Sequence, residues 1–94
     1  MNIKTFIVLI ELDIECSDLL DVIELSYEIS ENDNTQNIIE FLFTEDELED
    51  IFKSIAFINM NKKIISSRIL NPELSEYTSK VIIEKPDGNN ISFY

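Results

Sequence analysis

Over the first stretch of the chain, every second position from Phe6 to Ile14 is apolar. From Ile3 to Glu15, Phe6, Val8, Ile10, Leu12 and Ile14 fall on one face, and Thr5, Ile7, Leu9, Glu11, Asp13 and Glu15 on the other. That alternation predicts a long strand. Its second face turns from apolar to acidic, so the start of the strand is expected in the middle of a sheet, covered on both sides. Val22 to Ser30 alternates again, with Ile23, Leu25, Tyr27 and Ile29 against Glu24, Ser26, Glu28 and Ser30. A helix over Asp18 to Ile29 also gathers Leu19, Leu20, Ile23 and Tyr27 on one face, but leaves Val22, Leu25 and Ile29 off the stripe. The strand accounts for more of the apolar positions. Glu31 to Gln36 is a polar turn, rich in residues that tolerate positive φ. Asn37 to Phe43 then reads as a third strand with Ile39, Phe41 and Phe43 on one face.

The period changes at Thr44, and a helix is expected over Thr44 to Ile58. Thr44 is placed to accept an unpaired backbone N–H, and Glu47 to reach back to it, which is a capping box. Leu48, Ile51, Phe52, Ile55 and Ile58 form one apolar stripe. Glu45, Asp46, Glu47, Glu49 and Asp50 crowd the first turns, where carboxylates meet the positive end of the helix dipole. Asn59 or Asn61 is expected to end the helix in a left-handed conformation.

Beyond it, Lys63 to Leu70 reads as a fourth strand. Asn71 to Ser75 is a turn, or one helical turn with Pro72 in first position. Tyr77 to Lys85 holds a fifth strand around Val81 to Ile83. Pro86-Asp-Gly-Asn89 is a hairpin turn, and Asn90 to Tyr94 closes the hairpin as an edge strand able to pair with another chain. The expected fold is α+β, a single domain over residues 1–94. Its antiparallel sheet has five to six strands in the order β-β-β-α-β-β-β. The first three form a meander, and one amphipathic helix (residues 44–58) packs on one face.

Composition supports a folded domain. Apolar residues make up 45% of 94 positions, enough for one core. The aromatics Phe6, Tyr27, Phe41, Phe43, Phe52 and Phe57 fit core positions of their elements, though Phe57 lies off the main helix stripe, and Tyr77, Phe93 and Tyr94 are expected to be partly exposed. One cysteine, Cys16, excludes an internal disulfide. The run Phe6 to Ile10 is too short to span a membrane, and the acids that follow it suit neither a signal peptide nor a cleavage site. The expected compartment is the cytoplasm.

Charge changes the picture most. The net charge is −12. Fifteen of the 19 acids and one of the 7 bases lie in residues 1–52, so the first half carries all of the excess. Such a surface repels nucleic acid and anionic lipid and attracts basic protein. Several chemistries lack their residues. Without histidine there is no common general base and no imidazole metal ligand. Cys16 lies between Glu15 and Asp18, which raise a thiol pKa rather than lower it. A single Gly leaves no phosphate-cradling loop. No segment matches an EF-hand, so no metal site and no cofactor are expected.

The acids themselves are the candidate site. Glu11, Asp13 and Glu15 project from one strand face at a repeat of roughly 6.6–6.8 Å, and Glu24 and Glu28 are placed to line the same face. Glu45, Asp46, Glu49 and Asp50 add a helical group. Their number exceeds what solubility needs and costs folding energy through mutual repulsion. The expectation is a non-enzymatic acidic inhibitor. It would dock on the basic, nucleic-acid-binding surface of another protein, its carboxylate rows standing in for phosphates. In size and charge this resembles toxin-immunity proteins and phage-encoded inhibitors of defence nucleases as broad classes; no motif carries a family resemblance. The expected partner is a basic nucleic-acid-processing enzyme, with no direct nucleic-acid or membrane contact. The alternative is an assembly protein that forms a homodimer or larger homo-oligomer through edge strands. A small-ligand binder ranks below both, because an anionic ligand would need Lys62, Lys63, Arg68, Lys80 and Lys85 gathered into one patch.

Overall fold

The computed structural model describes residues 4–14 and 37–94. Within them the fold is α+β: four strands make one antiparallel sheet, and three helices lie against one of its faces. The strands are β1 (Thr5–Leu12), β2 (Ile38–Thr44), β3 (Thr78–Glu84) and β4 (Asn90–Phe93), in the spatial order β2-β1-β3-β4. The helices are α1 (Glu45–Phe52), α2 (Lys62–Ile69) and α3 (Pro72–Ser75).

β1 is the central strand, and its alternation is realised. Phe6, Val8, Ile10 and Leu12 are buried. Register places Phe43, Phe41 and Ile39 of β2 beside Phe6, Val8 and Ile10, and Ile83 and Val81 of β3 beside Val8 and Ile10. Side chains of adjacent strands in register share a face, so these residues form one apolar sheet surface. Leu48, Phe52, Phe57, Ile65, Ile69, Leu70 and Leu74 cover it from the helical side. The strand is shorter than its sequence pattern, because the chain bends at Asp13 and Ile14. There the Asp13 amide donates to the Tyr77 carbonyl at 2.7 Å. The expected cover on both sides is not found among the described residues, whose helices all take the same face; Ile7 and Leu9 on the other face are half-buried.

The meander is corrected. β1 pairs directly with β2 along its length, so no strand lies between them, and the Leu12 amide donates to the Asn37 carbonyl at 2.8 Å where the two meet. The expected strand over Val22 to Ser30 lies outside the described residues. On its other side β1 pairs with β3, with a bulge between Glu11 and Leu12. Ser79 fills the bulge, its hydroxyl donating to the Glu11 carbonyl at 3.2 Å. The extra residue turns Thr78 to the covered side, where its hydroxyl lies 2.6 Å from that of buried Ser66.

The helix expected over residues 44–58 ends early. Its start is as read: Thr44 Oγ1 accepts from the Glu47 amide at 3.2 Å, and the Glu47 carboxylate accepts from the Thr44 amide at 3.0 Å. It stops at Phe52, where Lys53 takes the left-handed conformation with φ 63°. Ser54 then accepts from the Ala56 amide through its hydroxyl at 3.1 Å. Phe57 and Asn59 are also left-handed. The loop, rather than a further turn of helix, brings Phe57 into the core, edge-on to Phe52 at 6.5 Å. The last residue of the expected stripe, Ile58, is 75% exposed.

The fourth strand, Lys63 to Leu70, is helix α2. Asn61 caps it, its side chain accepting from the Ile64 amide at 3.0 Å, and Ile65 and Ile69, one turn apart, are both buried. Asn71 repeats the device for α3, accepting from Leu74 at 2.8 Å, with Pro72 in first position. The terminal hairpin is as expected. The Lys85 amide donates to the Asn89 carbonyl at 2.8 Å, and Gly88, at φ 91°, donates to the Lys85 carbonyl at 3.0 Å. That is a three-residue loop with glycine at its left-handed position. No helix among the described residues is long and apolar enough to cross a membrane.

Candidate interaction surface

α1 is the element that presents the acids. Leu48 and Phe52 bury one side of it; Glu45, Asp46, Glu49 and Asp50 stand exposed on the rest. Glu45 and Glu49, like Asp46 and Asp50, are four positions apart, and therefore neighbours on the helix surface. Lys53 and Arg68 lie near its end. The Arg68 guanidinium sits 5.9 Å from the centre of the Phe52 ring and donates to the Ile51 carbonyl at 3.5 Å. None of the four carboxylates joins an ion pair among the described residues. Eight helical residues span about 12 Å. With Glu47, five carboxylates over that length give about one charge per 2.4 Å. Duplex DNA carries about one per 1.7 Å and a single strand about one per 3.4 Å.

The other predicted acids are not brought to this helix. Glu11 lies at the far end of β1 from Thr5, the residue that pairs with Thr44 at the start of α1. Six strand positions, roughly 20 Å, separate those ends, and Glu11 points away from the helical layer. Asp13 is exposed past the end of β1. Glu15, Glu24 and Glu28 lie outside the described residues.

Glu11 instead shares the sheet face away from the helices with two acids outside the predicted set, Glu40 and Glu84. The registers Leu9 to Glu40 and Ile7 to Glu84 put both carboxylates on that face, with Lys80 opposite Glu11. Ile38, Leu42 and Ile82 belong to it too, and Leu42 is 44% exposed. The strand alternation around Phe41 and Ile83 held the signal, because residues between core positions must face the other way.

The five cations do not gather into one patch, although Lys63 and Arg68 line one shallow cleft of about 370 Å³. Lys62 donates to the Ser79 carbonyl at 3.5 Å, and Lys63 pairs with Glu76 at 3.4 Å between two exposed side chains. Lys80 lies over the Tyr94 ring at 5.0 Å. Lys85 lines an open cleft of about 650 Å³ together with Lys4, Phe6, Ile55, Glu45 and Asp87. The two lysines there face two carboxylates, so the cleft offers no excess charge of either sign. Asp87 sits in the hairpin loop, and its carboxyl is held below the usual aspartate value, first by the bond from the Asn89 amide at 2.9 Å and further by the Asn89 side chain and Lys85. The described residues hold no cluster of three metal-ligating side chains.

Comparison with known proteins gives no matching family model, no matching curated protein and no matching solved structure.

Proposed function

We propose that the protein is a binding protein rather than an enzyme: an acidic inhibitor that docks through α1 on the basic, nucleic-acid-binding surface of another protein. The observation that carries this reading is the capped helix with Glu45, Asp46, Glu49 and Asp50 exposed, at a charge density between those of single-stranded and duplex nucleic acid. The cap and the buried side hold the helix in place, so its carboxylates meet a basic surface already ordered and little side-chain freedom beyond their own is lost. Complementary fields speed encounter. Ile58, exposed beyond the end of α1, supplies an apolar contact of the kind that slows dissociation.

The test is capture of partners on immobilised protein from lysate of the source cell and of any cell it acts upon, at low and high salt, followed by competition with duplex DNA. The parent is compared with a variant carrying Glu45→Gln, Asp46→Asn, Glu49→Gln and Asp50→Asn. The expected result is one basic nucleic-acid-binding protein, released by salt, displaced by DNA and held at least about tenfold more weakly by the variant. A partner that binds the variant equally well, or that DNA does not displace, removes α1 from the role.

A further inference from the structure

The sheet order separates charge across the molecule. Among the described residues β2, which carries Glu40 and leads into α1, lies at one side of the sheet and β4 at the other. Asn89 to Tyr94 contains no charged residue. Strand edges are ordinarily blunted by lysine, proline or a bulge, and β4 has none of these; it is only short. The Lys85–Asn89 bond fixes which way its backbone faces. Antiparallel bonding alternates along a strand, so Ile91 and Phe93 bond to β3, while the N–H and C=O groups of Asn90 and Ser92 point outward.

We infer that β4 is the contact through which two copies of this chain pair, antiparallel, about a two-fold axis through Ser92. The two sheets then join into one of eight strands with both helical layers on the same side. The inference is independent of α1 and stands whether or not α1 binds a basic protein.

Three features fit a second copy. In a chain of net charge −12, this is the edge at which two molecules meet without opposing their carboxylate helices. With Ser92 facing its own copy, Asn90 faces the Tyr94 of the other molecule and Ile91 faces its Phe93. Ile91 and Phe93 are half-buried at the margin of the core, so the apolar layer continues across the axis. On the face away from the helices, Glu84 lies beside Asn90, and Lys80 lies over Tyr94. The pairing therefore puts Glu84 of each molecule in one row with Lys80 of the other, three strand spacings or about 14 Å apart. That row is opposite in charge and occurs twice by symmetry.

A ribbon of five residues is small beside a standard interface, so the dimer is weak and its strength rises with salt, as screening relieves the net repulsion. Sedimentation equilibrium of the whole chain, up to about 1 mM protein, reads this directly. The Debye length shortens from about 10 Å at 0.1 M salt to about 3 Å at 1 M. The expected result is a monomer–dimer equilibrium that shifts toward dimer with salt. Ser92→Lys, which sets two ammonium groups against each other at the axis, weakens it at least about tenfold. Ser92→Pro removes only the outward N–H and has the same effect. Circular dichroism and the unfolding midpoint confirm that each variant is folded. A monomer at every concentration and salt overturns the inference. So does a dimer that both folded variants retain, since its contact then lies elsewhere.

Discussion

Three non-glycine residues in one short loop, Lys53, Phe57 and Asn59, hold positive φ. Asparagine takes this conformation readily, but lysine and phenylalanine pay a steric cost through Cβ, about 1–2 kcal/mol. Lys53 is exposed, and its side chain makes no described contact, so Lys53→Gly is expected to stabilise the protein by up to about 1 kcal/mol, read as a higher urea midpoint at unchanged slope. Phe57 gives no such gain, because its ring fills the core beside Phe52. A second residue-scale prediction concerns Asp87. Its carboxyl is more acidic in the folded chain than in the unfolded one. The stability it contributes is therefore present above the ordinary aspartate pKa of 3.8 and is lost as pH falls through the depressed folded value. An NMR titration should place its midpoint below 3.8, and Asn89→Ala, which removes only the side-chain bond, should move it part of the way back. A midpoint at or above 3.8 would contradict the loop geometry.

Caps decide the elements. Thr44, Asn61 and Asn71 each accept an amide three residues on, and α1 and α2 are only eight residues long, too short to hold themselves in water. Thr44→Ala and Asn61→Ala should each cost about 1 kcal/mol in a denaturant titration. The Thr44 variant keeps the bond from its own backbone amide to the Glu47 carboxylate, so half of the capping box survives and its loss should not exceed that of the Asn61 variant. The same residues explain what sequence could and could not reveal. The start of α1 was legible because Thr44 and Glu47 form a pair with a single meaning. Its end was not: Ile55 and Ile58 continued the helical stripe, and nothing local announced that Lys53 would turn left-handed. α2 was misread as a strand because Ile64-Ile65-Ser66-Ser67 comes in doublets that fit either period, and Lys62 and Lys63 stand where a helix start disfavours cations. Asn61, which with Asn59 is one of two residues expected to end the first helix, begins the next. The strands β1 and β2, by contrast, show their buried face plainly, because every second position from Phe6 to Leu12 and from Ile39 to Phe43 is apolar.

At the scale of the molecule, the acidic site was legible as composition but not as a surface. The count of carboxylates is in the sequence; which of them share a face depends on registers and on the side of the sheet that the helices choose. Glu11 and α1 were grouped by charge and stand apart in space. Glu40 and Glu84 join Glu11 through pairings that link distant parts of the chain. Net repulsion also acts on stability. With few ion pairs among the described residues to oppose it, raising ionic strength from about 0.01 M to 0.15 M shortens the Debye length from about 30 Å to about 8 Å. The thermal midpoint should rise over that range; a gain of about 1 kcal/mol reads as about 4–8 °C in a domain of this size. A midpoint that falls with salt would mean that favourable pairs outweigh the repulsion.

The central position of β1 has a consequence for how the protein is made. Ser79 and Glu11, which meet at the bulge, are 68 positions apart, and the pairs of β1 with β3 are separated by 66 positions at Leu12–Thr78 and by 77 at Ile7–Glu84. Contacts so distant in sequence form late, because the loop between them must close first. On the ribosome β1 emerges long before its β3 neighbour. Until the terminal hairpin is released, Val8 and Ile10 sit on a strand with one bare edge, in a chain whose surrounding carboxylates repel others like it. The charge from which we propose a basic partner also keeps unfinished copies of the chain apart.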